Sequence, residues 1–370
     1  MSELENVTCV DGLEERAHWI AFHRVPYIGP VRIQKLVDAF GSLRDAWRAT
    51  PAALRRVLDE RSVESLVQAR QTLSPERELQ RLEREGVMAI TLQDPDYPPL
   101  LAQIPAPPPV IYVRGTLASE DATAVAIVGT RRATATGREV ASRIARELAE
   151  AGVTIVSGLA RGIDGVAHAA ALEAGGRTIA VLGSGVNVVY PPEHRNLASR
   201  IVESGALISD YPLDTKPDAV NFPPRNRIIA GLSLAVVIIE APARSGALIT
   251  CDFAADQGRE VFVVPGSVLS HASQGSNRLL REGARAVTSA ADILEDLNLD
   301  RRREQVAVQQ ALPMTEEERR LLALVTSEPR HIDDLAAAAN LEIAAASALL
   351  TMMELKGVIR NMGAQHYIRL

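Results

Sequence analysis

Residues 125 to 141 read VAIVGTRRATATGREVA: an apolar run closes on Gly129, then Thr130, Arg131 and Arg132 precede a helical pattern. A glycine lets the backbone come close to a ligand, the free N–H groups of a helix start attract an anion, and guanidinium groups add fixed charge. That is phosphate-binding chemistry. Thr136 and Glu139 have the spacing of a capping box, which predicts a helix from Thr136 to Glu150-Ala151 that stops at Gly152.

Three further stretches carry residues of the same kind. SGLARGIDGVAHAAALEAGG offers Gly158, Gly162 and Gly165 with the cation Arg161, and Asp164 is placed to cap a helix closing at Gly175-Gly176. APARSGALITCDFAADQG makes Ser245 an N-cap and leaves Gly246 open to close approach. NFPPRNRIIAGLS brings Phe222 together with Arg225, Asn226 and Arg227. A flat face among cations suits single-stranded nucleic acid, whose phosphates need charge and whose bases need a stacking surface. Arg225 is expected to face the ligand; Asn226 and Arg227 fit a structural network under the sheet edge equally well.

Other chemistries fit less well. The dinucleotide fingerprint needs three closely spaced glycines and an acid closing the second strand, whereas here Gly129 stands alone until Gly137 and that strand ends in Ser157-Gly158. No GxxxxGK[ST] phosphate loop occurs. The pattern therefore argues against NAD, and no cofactor is expected. Asp164 and His168 stand four apart and could act as an acid–base pair, but capping accounts for Asp164 and no nucleophile accompanies them. The seven histidines show no metal-ligand clustering, so neither a catalytic residue nor a metal is expected.

Elements must hold these residues in place. From Ala124 onward the strands VAIV, VTIVS, TIAVL, AVVIIE and VFVV alternate with helical stretches, which predicts an α/β fold: an extended Rossmann-like, doubly wound parallel sheet over 84–300. GVMAITL and PPPVIYVRG read as two further strands around a proline-rich crossing. Residues 1–80 read as helices, with Val25 to Pro30 as a glycine-containing turn. Such a turn either offers N–H groups to a phosphate, as in a helix-hairpin-helix, or simply needs Gly29 to bend. Residues 301–313 read as a linker, and 314–370 as three helices and a hairpin about Gly363, a winged-helix outline. That last stretch holds eight acids and six bases, and its candidate recognition helix has Lys356 as its single cation. A phosphate-lined groove is a poor match for it, and packing or a protein partner is expected instead.

Composition sets the limits. A chain of 370 residues is long enough for two or three domains. The net charge of −6 confines anion binding to a local patch, and 37 of the 40 cations are arginines, the others being Lys35, Lys216 and Lys356. Two cysteines cannot build a disulfide framework, no apolar run approaches a membrane span, and the first residues are acidic, so a cytosolic protein is expected.

The stretches DPDYPPLL, VAIVGTRRATATG, VSGLARGIDGVAHAAAL, GGRTIAVLGSGVNVVYPPEH, NFPPRNRIIAGLS, SGALITCDFAADQGREVFVVPG and GSNRLLREGA follow one another in this order. In this the chain resembles the DprA family, the DNA-processing proteins of natural transformation. The resemblance implies a SAM or helix-hairpin-helix-like N-terminal domain, a Rossmann-like domain that binds single-stranded DNA, a winged helix, a homodimer, and loading of the RecA recombinase without catalysis. It also implies that Gly129, Thr130, Arg131 and Arg132 hold backbone phosphate with Gly158, Arg161 and Gly162 beside them. Lys216 and Phe222 would touch strand and base, Arg225 and Asn226 match the family's RNR, and Ser245 and Gly246 complete the pocket. Where the family commonly has Ser-Glu, this chain has Ser209-Asp210. The fold and the SGALIT loop also resemble nucleotide phosphoribohydrolases, enzymes with a PGGxGT-x-x-E loop. Arg244 to Thr250, followed by Cys251-Asp252, lacks that glycine pair and glutamate.

Overall fold

The computed structural model describes residues 3–299, 315–326, 329–355, 358–363 and 365–369; the expected linker at 301–313 and Lys356 lie outside them. The chain divides into two compact units, Met1–Asp292 and Ile293–Leu370.

The first unit opens with helices α1 (Glu3–His23), α2 (Pro30–Phe40), α3 (Leu43–Arg48), α4 (Pro51–Leu54), α5 (Glu60–Thr72) and α6 (Pro75–Arg84). They are followed by β1 (Met88–Thr91), α7 (Pro99–Ala102) and β2 (Val110–Gly115). The alternating region then runs β3 (Ala124–Val128), α8 (Ala135–Glu150), β4 (Thr154–Ser157), α9 (Ile163–Glu173), β5 (Thr178–Val181), α10 (Arg195–Ser204) and β6 (Gly205–Ser209). It continues through α11 (Phe222–Gly231), β7 (Ala235–Ile238), α12 (Gly246–Asp256), β8 (Glu260–Val263), α13 (Gln274–Arg281), β9 (Arg285–Ala286) and α14 (Ala290–Asp296).

These strands form one sheet in the order β1-β2-β6-β5-β4-β3-β7-β8-β9. Pairing is parallel from β6 through β9, and β2 joins β6 antiparallel, with Tyr112 opposite Ser209. All five residues of β3 are buried, as a strand covered on both faces requires. The sheet takes in two strands beyond the seven read from the sequence, β6 and the short β9. From β3 the chain winds through β4, β5 and β6, then returns to place β7 on the other flank of β3. That reversal opens a crevice at the carboxyl ends of β3 and β7. The N-terminal helices pack on the sheet through one hydrophobic cluster in which Phe22, Leu36 and Leu66 join Tyr112 and Leu207.

Three local readings are corrected. The N-cap of α8 is Thr134, whose Oγ1 accepts from the Gly137 N–H at 3.0 Å, so Thr136 lies inside the helix. The N-cap of α9 is Gly162 at φ +80°, and a Cβ there would stand 2.3 Å from the Thr130 carbonyl. Asp164 instead accepts from the Ala160 N–H, which precedes the helix, at 3.3 Å. In the turn before α2 it is Tyr27 that takes positive φ, +66°, while Gly29 is an extended N-cap with open space where a Cβ would go.

The second unit contains helices Glu316–Leu322, Ile332–Ala339 and Ile343–Leu355 and a sheet in which His366–Arg369 lies between Arg330–His331 and Ile359–Asn361. Gly363, at φ +98°, turns the hairpin. Leu321, Leu335, Leu350 and Met353 form its core. Among the described residues no single helix is long and apolar enough to cross a membrane.

Candidate nucleic-acid interface

The crevice at the switch point is an open cleft of about 650 Å³. It is lined by the segments that follow β3 and β7 and by the first turns of α11. Gly129, Thr130, Arg131 and Arg132 come from β3; Phe222, Arg225 and Asn226 from the start of α11; and Arg244, Ser245 and Gly246 from the β7–α12 connection. Nine of the thirteen residues expected at the site therefore line one cavity. Gly158, Arg161, Gly162 and Lys216 do not line it.

The turn after β3 is tightly built. Thr130 donates its N–H to the Glu240 carbonyl at 2.7 Å, and its Oγ1 accepts the Arg132 N–H at 3.2 Å. A Cβ on Gly129 would come within 2.6 Å of the Ile163 side chain, so no larger residue fits there. Arg131 and Arg132 project outward and are exposed. Among the described residues neither has an ion-pair partner, and nor has the exposed Arg244. Unpaired guanidinium groups above a turn of this kind retain their charge for a ligand.

Phe222 supplies the flat face. It opens α11, whose first turn is fixed by Pro223 and Pro224. Its ring lies 5.9 Å from that of Tyr190, with the Arg131 guanidinium 5.5 Å from its centroid. The reading of single residues missed Tyr190, although it lies within the stretch GGRTIAVLGSGVNVVYPPEH. It is 40% exposed and lines the cleft.

Arg225 does not face the ligand as expected. It is 4% exposed and donates to the carbonyls of Gly158, at 2.8 Å, and Val181, tying the ends of β4 and β5 together. Burial lowers its pKa to about 10, against the opposing pull of Asp164. Burial in turn pushes Asp164 up to about 6, with Arg225 and the Ala160 and Gly158 amides drawing it down. Gly158 stands behind this pair, where a Cβ would meet the Arg225 guanidinium at 2.8 Å. Arg161 is exposed and paired with Glu193. Lys216 is exposed, next to the cleft residue Pro217. Asn226 donates to the Gly246 carbonyl at 3.2 Å, linking α11 to α12. Arg227 pairs with Asp210 at 2.7 Å, so the aspartate of Ser209-Asp210 has its own structural partner. Ser245 caps α12 as expected, accepting from Ala247.

His168 is fully buried. Thr178 Oγ1 donates to the Ile155 carbonyl, so it accepts from His168 Nδ1 at 2.7 Å. Nε2 is left with a bare lone pair and no partner. Burial lowers the imidazole to about 3. It does not line the cleft and belongs to the core.

A doubly wound sheet with exposed guanidinium groups and an aromatic face at its switch point, joined to a second helical unit with a three-stranded sheet, defines an extended Rossmann-like protein with a winged helix. Residues 88–298 match the family model of DNA recombination-mediator protein A, and residues 305–365 that of the DprA winged helix domain. The chain belongs to the DprA family. It is 37% identical to protein Smf of Synechocystis over 96% of this chain and 99% of that relative. The X-ray structure of DprA from Streptococcus pneumoniae superposes with a TM-score of 0.66 at 32% identity, covering 76% of this chain and 97% of that one. DNA processing protein A from Helicobacter pylori, the subject of a structural study of its single-stranded DNA binding mode, matches with a TM-score of 0.52 at 29% identity. That match covers 58% of this chain and 96% of the other.

Proposed function

We propose that this protein binds single-stranded DNA across the carboxyl edge of its sheet, in the cytosol, as a non-catalytic mediator of recombination. The observation that carries this reading is the grouping of Arg131, Arg132 and Arg244, unpaired among the described residues, around the Phe222–Tyr190 face in one open cleft. The cations take phosphates and the rings take a base, so binding is sequence-tolerant and falls steeply with salt as counterions are released. Gly129, Thr130, Ser245 and Gly246 shape the floor, Arg225 and Asn226 hold the edges of the pocket in place, and Lys216 extends the charge beyond it. Membership of the DprA family supports a homodimer that loads the RecA recombinase onto the bound strand.

Titration of the full chain with an oligo-dT strand, a duplex and a mononucleotide at two salt concentrations tests the proposal. The expected order is strand well above duplex and mononucleotide, with a strong salt slope for the strand. Equal affinity for the mononucleotide, or a strand affinity indifferent to salt, would refute it. Incubation with nucleoside monophosphates tests the absence of catalysis, and release of free base would replace binding by hydrolysis.

A further inference from the structure

Glu240, two residues beyond β7, directs its carboxylate into the protein and is 7% exposed. Thr134 donates to it twice, from its N–H to Oε2 at 3.0 Å and from its hydroxyl to Oε1 at 2.5 Å. The carbonyl of Glu240 also accepts the Thr130 N–H. Both ends of the Thr130–Thr134 turn are thus fastened to one residue. In the first turn of α8 stands Gly137, where a Cβ would lie 2.3 Å from Glu240 Cδ. In a dinucleotide-binding turn, a glycine lets the pyrophosphate approach the helix start. Here a glycine admits a carboxylate of the protein itself.

The sixteen-residue helix α8 has the positive end that attracts anions, and its cap already holds one. We infer that Glu240 is a specificity-determining residue that occupies the phosphate subsite of the Rossmann crevice and excludes soluble nucleotides from it. Arg131 and Arg132 lie outside the plug, on the exposed side of the turn. They remain free for the backbone of a polymer, which needs no buried subsite. Discrimination between two ligands that share phosphate chemistry needs a feature that penalises the wrong one. Glu240 penalises a nucleotide twice, by filling its volume and by opposing its charge. The exclusion stands on the geometry of Glu240 alone; its use in favouring a strand rests on the proposed function.

The test compares full-length wild type, Glu240→Gln and Glu240→Ala by thermal unfolding with inorganic pyrophosphate, and in parallel by fluorescence anisotropy with oligo-dT. Wild type is expected to ignore pyrophosphate. Glu240→Ala is expected to gain roughly 5 °C at a hundredfold excess over its Kd, and Glu240→Gln a smaller gain. Recovery of the folded state of Glu240→Ala only with pyrophosphate present would be the same result in stronger form. If Glu240→Ala does not fold under either condition, Glu240→Gln alone decides. Variants that fold, by circular dichroism, yet show no pyrophosphate response would overturn the inference, as would a wild type that responds equally. Loss of oligo-dT binding by wild type would instead refute the proposed function and leave the pyrophosphate comparison standing.

Discussion

On the proposed function, Arg131 and Phe222 carry the ligand chemistry of the cleft, and each has a distinct expected signature. Arg131 is exposed, and its described contact is with the face of Phe222, so removing its charge leaves the fold without an unpaired buried group. Arg131→Ala is expected to weaken strand binding similarly across sequences and to flatten the salt slope by roughly one unit. Wild-type affinity or an unchanged slope in a salt titration would remove Arg131 from the interface. Phe222→Ala removes a stacking surface instead of a charge. It is expected to cost about 1–3 kcal/mol of binding with the salt slope unaltered. Measuring both slopes separates the two roles, because only the arginine displaces counterions. Arg225, which has a cationic residue type like Arg131, belongs to the scaffold: it is buried, and its Nη1 donates to the carbonyls of both Gly158 and Val181.

The start of α8 shows where local sequence stops being informative. Thr136 and Glu139 have the spacing of a capping box, yet Thr134 caps the helix. The deciding partner is Glu240, 106 residues away on the far side of the sheet switch, which fixes both the N–H and the hydroxyl of Thr134. Thr134→Ala is therefore expected to lower stability by about 1 kcal/mol or more, within the range of a lost cap, while Thr136→Ala stays within about 0.5 kcal/mol. Chemical denaturation of both variants checks this, and equal losses would show that the long-range partner adds nothing. The same division holds elsewhere. The alternation of apolar strands and helices revealed the parallel sheet, because a strand covered on both faces must be apolar throughout. Ser245 was legible as a cap because its partner, Ala247, is two residues on. The burial of Arg225 was not legible: two prolines start α11 and turn this side chain under the sheet edge, toward carbonyls that approach only when β4 and β5 pair.

At the scale of the whole molecule, buried titratable groups tie stability to pH. Burial holds His168 at about 3 and His23 at about 4, so in the folded protein both remain neutral where the unfolded chain, at about 6.5, binds a proton. Asp164, raised to about 6, has the opposite sign, because the folded state keeps a proton that the unfolded carboxyl has released. Between about pH 4 and 6 the unfolded state therefore holds two protons on these groups and the folded state one. Stability rises with the proton excess of the unfolded state, so these groups stabilise the protein as pH increases across this window, with a slope of roughly 1.4 kcal/mol per pH unit. Asp210, also raised by burial, is common to wild type and variants and cancels from the comparison. His168→Gln removes one proton from the unfolded side and is expected to flatten the slope by that amount. Asp164→Asn removes one from the folded side and is expected to steepen it equally. Denaturant midpoints for the three proteins at several pH values across the window give the slopes directly. Parallel profiles for His168→Gln and wild type would mean that the imidazole is protonated inside the folded core.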